Sequence, residues 1–358
     1  MVPLGARSKP TGAPAPRTPK RSGDRRRRKG LPFGHGHRHR RLRLHDRDYA
    51  KGLIEIADGC FAYLQPDGGW CLSNAGLLAG NGGSLLVDTL TDVPRTAAML
   101  EAMKPVTTAA PIRTLAITHG NLDHYFGNQL VEGAEIVASV GTAHEMATGP
   151  TPASMAAMVA NPDPVLGAYL RHAFGQFDWS GIELTMPTRT FEDRLTIDAG
   201  GRRAELIDVG PAHTAGDTIC HLPDDRVAFT GDLLFIFGTP IVWAGPYENW
   251  YRACDVLLSL DCDVYVPGHG PLTDRRGVEG VKAYLQYVYA EARARFDAGL
   301  DARDAAFDID LGPYAEWNDS ERLAINVLSA YREFDPNRPE AGRGEVFALM
   351  AELAGRHR

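Results

Sequence analysis

The chain has 358 residues, 44% of them hydrophobic and 23% charged, with 38 Gly and 24 Pro; that composition is loop-rich and globular and excludes a coiled coil or a wholly disordered chain. No run of about 18 apolar residues occurs, which excludes a spanning helix, and the scattered Cys60, Cys71, Cys220, Cys254 and Cys262, with no CxxC pair, exclude a disulfide framework and a cysteine-built zinc site. The formal net charge of −7 is unevenly placed: residues 1–48 carry 15 Lys and Arg against three Asp, a net of +12, which leaves −19 on residues 49–358.

A body this acidic repels nucleic acid, so the expected partner is a small molecule, with neither nucleic acid nor membrane favoured. The cysteine usage leads us to expect a reducing cytoplasm. Residues 1–48 are rich in Pro, Gly and Arg, include Arg25 to Lys29 and show no apolar period, and they read as a disordered basic tail. The segment Gly30 to Gly34 is too short to serve as the apolar core of a signal peptide.

Ordered structure is expected from about Leu53, and a catalytic domain over 49–274. Short Leu/Val/Ile-rich runs predict strands at Gly83–Val87, Ile112–Thr118 and Glu135–Ser139, with a helix at Val93–Met103. The stretch 151–191, with Met155, Met158, Val165, Leu166, Tyr169 and Leu170, predicts a helical insertion able to cap a site. A second strand group is expected at Leu195–Ile197, Ala204–Val209, Thr218–Leu222, Val227–Thr230 and Asp263–Pro267. From 275 to 358 the pattern is helical: Val278, Val281, Leu285 and Val288 form one apolar stripe after a candidate N-cap, Asp274, and further helices are expected at Ser320–Phe334 and Glu345–Leu353. Two strand groups separated by helices predict an α/β, four-layer αββα sandwich with a helical C-terminal extension packed on it.

The densest chemical signal is Thr118-His119-Gly120-Asn121-Leu122-Asp123-His124, directly after a predicted strand. Two imidazoles and a carboxylate in a turn of this length can converge on a metal ion. His213 in Gly210-Pro211-Ala212-His213, Asp232 in Thr230-Gly231-Asp232 and His269 in Pro267-Gly268-His269-Gly270 each follow a predicted strand beside glycine. At such strand ends side chains can reach a common cleft and backbone can approach closely.

The ordered set Asp88, His119/Asp123/His124, His213, Asp232 and His269 resembles the metallo-β-lactamase superfamily over roughly residues 53–272. That resemblance implies that His119 and His213 serve one metal, that Asp123, His124 and His269 serve a second, and that Asp232 bridges them. It also implies that Asp88 steadies the ligands without touching metal. The ions would be one or two zinc ions, with iron or manganese as alternatives, activating water for hydrolysis. Where the family's HxHxDH motif has its second histidine this chain has Asn121, a harder and less basic ligand that weakens the first site. Asp123 and Asn121 are the residues expected to act on the reacting groups.

His221 reads as a structural strand residue, His144 and His172 as surface or lid residues. Phe235, Phe237, Trp243, Tyr247, Trp250 and Tyr251 either line the pocket or pack under the sheet. If they and the Met-rich insertion face the metals, the substrate is sizeable and apolar or aromatic: an ester, thioester or lactone. Competing readings are a polyketide cyclase or thioesterase of the same fold, a phosphodiesterase or nuclease, and a metal-binding scaffold without activity.

Overall fold

The computed structural model describes residues 49–356; the basic tail at 1–48 lies outside the described residues. Strands β1 (Gly52–Ala57) and β2 (Cys60–Leu64) form a hairpin across Asp58-Gly59, where Gly59 takes φ +64°. Glycine adopts that left-handed conformation without a Cβ clash, and an Asp-Gly pair between two apolar runs is a strong hairpin signal. Strands β3 (Ala75–Ala79) and β4 (Ser84–Val87) continue the antiparallel meander.

Helix α1 (Val93–Thr107) then returns the chain to a parallel partner. It starts at Asp92, whose carboxylate accepts from the Arg95 amide, with Pro94 in the first turn, a combination suited to a helix N-terminus. Strands β5 (Ile112–Ala116), β6 (Glu135–Ser139) and β7 (Arg189–Phe191) complete a seven-stranded sheet in chain order, parallel from β4 onward. Between β6 and β7 lie α2 (Val140–Thr148), α3 (Pro152–Val159) and α4 (Leu166–Phe174).

The second sheet holds β8 (Arg194–Asp198), β9 (Arg203–Asp208), β10 (Thr218–Leu222), β11 (Val227–Phe229) and β12 (Val264–Val266), laterally ordered β12-β11-β10-β9-β8. Helix α5 (Tyr247–Ser259) connects β11 to β12, and α6 (Arg275–Asp297), α7 (Ala302–Asp308), α8 (Leu323–Phe334) and α9 (Arg343–Arg356) follow.

Alternation along the strands sorts side chains into layers, because successive residues of a strand point to opposite faces. Leu64, Leu78, Leu85 and Val87 of the first sheet share one core with Leu206, Cys220, Leu222 and Phe229 of the second. Leu77, Leu86 and Leu115 instead join the core that holds Met99 and Met103 of α1, and Ile219, Ala228 and Tyr265 join it with Leu257 of α5. This is the αββα sandwich, with the helical extension docked on it. Val278, Val281, Leu285 and Val288 are all buried, and the Asp274 carboxylate accepts from the Arg276 amide at the start of α6. Helix α8 packs on α6, α7 and α9, and α9 packs on α4.

Several expectations need correction. The stretch 151–191 is helical only in α3 and α4, and its end, Arg189–Phe191, is strand β7, which extends the first sheet by pairing with Val137–Ser139. Three residues carry no readable period, so only the waiting sheet edge decides their conformation. The strand expected to reach Thr118 ends at Ala116, where the chain turns toward His119. Strands β1 to β3 and helix α5 lie where the sequence pattern predicts no element, while α7 falls inside the helical stretch expected over 275–358. The run Trp243 to Trp250 ends in the first turn of α5, whose buried Tyr247, Trp250, Ala253, Cys254 and Leu257 keep helical spacing.

Candidate metal centre

Within the first sheet β4 and β5 run parallel, and in the second β9, β11 and β12 point the same way, because β10 is antiparallel to both β9 and β11 while β12 is parallel to β11. The loops that leave their C-terminal ends therefore gather at one edge of the sandwich. Asp88 follows β4, His119 to His124 follow β5, His213 follows β9, Asp232 follows β11 and His269 follows β12. The Thr218 amide donates to the Thr118 carbonyl across 2.8 Å and ties the two sheets together there.

All six ligand-type side chains meet and all are buried. They fall into two groups, His119/His213/Asp232 and Asp123/His124/His269, each with its ligand atoms within 4.8 Å of one another. Asp232 sits between the groups: its carboxylate oxygens lie 3.6, 3.1, 3.3 and 3.4 Å from Nε2 of His119, His124, His213 and His269. Asp123 Oδ2 lies 3.2 Å from His269 Nε2 and 3.8 Å from His124 Nε2.

The histidines are aimed by their other nitrogens. Nδ1 of His213 donates to the Ile241 carbonyl at 2.6 Å, Nδ1 of His269 to the Gly68 carbonyl at 3.1 Å and Nδ1 of His124 to Asp88 Oδ2 at 2.8 Å. Thr118 Oγ1 gives its proton to Asp88 Oδ2 at 2.7 Å, so at 3.1 Å from His119 Nδ1 it acts as the acceptor. Carbonyls and carboxylates only accept, so every ring carries a proton on Nδ1 and turns Nε2 inward.

Four inward Nε2 atoms and two carboxylates thus converge. His119 Nε2, His124 Nε2 and Asp232 Oδ1 are buried without a hydrogen bond, which is costly in a folded protein unless something else satisfies them. A divalent cation in each group would do so, and the donor set of imidazole and carboxylate suits zinc, iron or manganese. The residues fit the metal ions.

The electrostatics divide the four rings into two pairs. Burial lowers His119, reinforced by His124, and it lowers His213 to about 4 against the pull of Asp232, so both rings stay neutral. Burial works the same way on His124 and His269, but Asp232 and Asp123 outweigh it, with Asp88 adding to the effect on His124, and raise His124 well above its ordinary value and His269 to about 9, so with no cation beside them these two rings take up a second proton. Burial raises Asp232, and His269, His119 and His124 outweigh it to hold the carboxyl well below the usual range.

Asp88 is buried with its backbone at φ +61°, unusual for a residue with a Cβ. In that position Oδ1 accepts from the Thr118 amide at 2.7 Å while Oδ2 receives Thr118 and His124, so one carboxylate orients two histidines. Gly268 is required by packing: a Cβ there would stand 1.9 Å from Asp232 Oδ1. Phe235 stacks on His269 at 5.1 Å and 5°, and Trp250 lies edge-on to His213 at 5.7 Å.

Asn121, half-buried, places Oδ1 2.9 Å from His213 Nε2. It lines a cavity of about 470 Å³ together with Asp123, Asp232 and His269. Met155 and Met158 of α3 and Phe174 of α4 face that cavity, as do Phe235 and Trp243. Phe237 is exposed, and Tyr247, Trp250 and Tyr251 do not line it. Trp70, Arg322, Arg343 and Phe347 also form its wall. No sequence signal singled these out, since they belong to elements far apart in the chain. His221 lies outside the site on β10, with Nδ1 3.6 Å from Glu205 Oε2, and His144 and His172 are exposed on α2 and α4.

A sequence profile described as the metallo-beta-lactamase superfamily matches residues 68–269. The chain is 28% identical over 267 residues to the 2,4-dinitroanisole O-demethylase subunit alpha of Nocardioides sp. (strain JS1661), covering 70% of this chain and 71% of that one. It is 24% identical over 252 residues to the hydroxyacylglutathione hydrolase of Brucella anthropi, covering 70% and 75%. Among solved structures, the stereoselective inverting sec-alkylsulfatase Pisa1 from Pseudomonas sp. superposes with a TM-score of 0.61 at 17% identity, over 80% of this chain and 51% of that one. Among the described residues no helix is long and apolar enough to cross a membrane. The chain belongs to the metallo-beta-lactamase superfamily and is a metal-dependent hydrolase of that fold.

Proposed function

We propose that the chain hydrolyses a small-molecule thioester or ester whose body is apolar or aromatic. The observation that carries this reading is the joining of the buried donor cluster to a single cavity walled by Met155, Met158, Phe174, Trp243 and Phe347. A cavity of about 470 Å³ suits one small ligand. The likeness to a hydroxyacylglutathione hydrolase, which by its name cleaves an acyl-glutathione, supports acyl chemistry.

His119, His213 and Asp232 would hold one cation and Asp123, His124 and His269 the other, with Asp232 common to both. Bound there, divalent metal supplies Lewis acidity, which polarises an acyl oxygen and brings the pKa of water toward about 7. The protein supplies orientation. Burial raises the Asp123 carboxyl, but His124 and His269 bring it below its ordinary value, so it remains an acceptor for a proton of the attacking water. The Asn121 amide lines the cavity, and its Nδ2 would donate to the acyl oxygen. The apolar walls exclude bulk water and strengthen these contacts. The water oxygen joins the acyl carbon, the carbon–sulfur or carbon–oxygen bond breaks, and the water proton leaves with the thiol or alcohol.

Cleavage of an activated aryl ether is a second reading, supported by the same apolar walls together with the likeness to a protein named for 2,4-dinitroanisole O-demethylation. A panel of phenylacyl thioesters, aryl esters and dinitroaryl ethers, run on the metal-loaded full chain and on the Asp232→Ala variant, tests both. Release of the free acid by the parent and not by the variant supports the first reading. Methanol release from the ether alone supports the second, and turnover of none by the metal-loaded parent overturns both.

A further inference from the structure

Two guanidinium groups line the cavity, and they are differently placed. Arg322 is buried and committed: Nη2 lies 2.8 Å from Asp319 Oδ2, Nη1 donates to the Thr239 carbonyl at 3.1 Å, and its plane rests on Trp70 at 4.3 Å. Its charge is neutralised and its position fixed. Arg343, at the start of α9, is exposed, and among the described residues no carboxylate lies within ion-pair distance of it. Its guanidinium stands 5.8 Å from the Trp243 ring. Glu145 shares the cavity, and burial raises its carboxyl while the charge of Arg343 lowers it, but its Oε1 is occupied by the Ala215 amide at 3.0 Å and its Oε2 is buried, so the two form no direct ion pair.

On a body of net −19 over residues 49–358, a cation on the wall of an apolar cavity that feels the charge of Glu145 but forms no direct ion pair with it is a specific feature. The exposed Arg343 marks the solvent side of the cavity, and the buried Asp232 and His269 mark its floor. A ligand spanning the two meets apolar side chains along its length. It has reacting atoms at one end and a planar five-donor cation at the other.

We propose that the cavity selects amphipathic anions: acyl compounds with an apolar or aromatic body and a carboxylate, remote from the scissile bond, that pairs with Arg343. This rests on the hydrolase reading above and names its substrate class. A guanidinium matches a carboxylate with two parallel hydrogen bonds, whereas a neutral ligand of equal length leaves that end of the cavity unused.

Two measurements on the metal-loaded full chain test the proposal. The first compares kcat/KM for p-nitrophenyl valerate and mono-p-nitrophenyl glutarate, of equal chain length but differing in the terminal carboxylate. The expected result is a preference for the glutarate ester of roughly tenfold, expressed in KM, as a partly exposed charge-assisted pair allows. Arg343→Met, which keeps the apolar stem, brings that ratio to about one, and Arg343→Lys restores part of it. A ratio near one in the parent, or an unchanged ratio in Arg343→Met, overturns the proposal.

The second measurement follows binding of 4-phenylbutyrate and 4-phenylbutanamide by calorimetry, which needs no turnover. Weaker binding of the carboxylate to Arg343→Met, with the amide unaltered, supports anion recognition even if neither ester is cleaved, in which case only the hydrolase reading falls. Equal binding of the carboxylate to parent and variant overturns the inference while leaving hydrolysis standing.

Discussion

The amide oxygen of Asn121 faces Nε2 of His213 across 2.9 Å, and neither atom has a proton to offer. His213 spends its ring proton on the Ile241 carbonyl, and burial lowers its pKa to about 4, so no second proton is held at neutral pH. Two lone pairs this close repel unless a cation lies against both. With a cation there, Asn121 would join His119, His213 and Asp232 as the hardest and least basic member of the group.

The Asn121→His variant should bind its more weakly held ion more tightly, by roughly tenfold or about 1.4 kcal/mol, because imidazole is a better ligand than an amide oxygen for zinc-like ions. Metal retained per chain after dialysis against a weak chelator reads this directly. Equal retention by parent and variant would show that the amide is no handicap.

Asp88→Asn should loosen metal binding by about 10- to 100-fold without touching a ligand atom. Oδ2 of Asp88 receives both Thr118 and His124, and an amide nitrogen in its place would point a donor at two donors. Competition with a chromophoric chelator measures the affinity, and circular dichroism checks that the fold persists.

Gly268→Ala should lower kcat by about a hundredfold, the scale set by displacing a catalytic group by about 1 Å. The new methyl would stand 1.9 Å from Asp232 Oδ1, so the bridging carboxylate has to move. Full activity in this variant would contradict the placement of Asp232 between the two groups.

Metal removal should destabilise the whole domain and not only its activity. Six buried donors lose their partner and keep their burial, and each ion held at a hundredfold its Kd contributes about 3 kcal/mol to folding. Thermal unfolding with and without a strong chelator should show the shift, reversible on adding back zinc.

Asp217 makes a pH prediction away from the metal ligands. It is buried, accepts from the Ala212 and Thr214 amides at 3.1 and 3.0 Å, and burial pushes its carboxyl well above its ordinary value. Folded protein therefore holds this proton to higher pH than unfolded chain does, so its contribution is lost as pH rises from the unfolded value of about 3.9 through the folded one. In chelator, Asp217→Asn should gain in stability relative to the parent between pH 5 and pH 7, as read from urea midpoints. A constant difference over that interval refutes the assignment.

Much of the architecture was legible in local pattern. The apolar runs at Ser84–Val87, Glu135–Ser139 and Thr218–Leu222 were bounded by turn residues, and the stripe Val278/Val281/Leu285/Val288 had a helical period with a cap ahead of it. The β1–β2 hairpin carried its signal too, in Asp58-Gly59, and was overlooked. β7 carried none, because a three-residue strand exists only by virtue of the edge it joins.

Residue type and order along the chain determined that this is an αββα protein rich in metal-type side chains at strand ends, since ligand chemistry and strand periodicity are properties of neighbours in sequence. Tertiary structure alone decided which atoms meet. It brought four Nε2 atoms around Asp232, set Trp243 on the cavity wall and Trp250 behind His213, and carried Arg343 to the cavity from the far end of the chain. Contacts between distant segments depend on how layers pack, and packing leaves no trace in the spacing of any one segment.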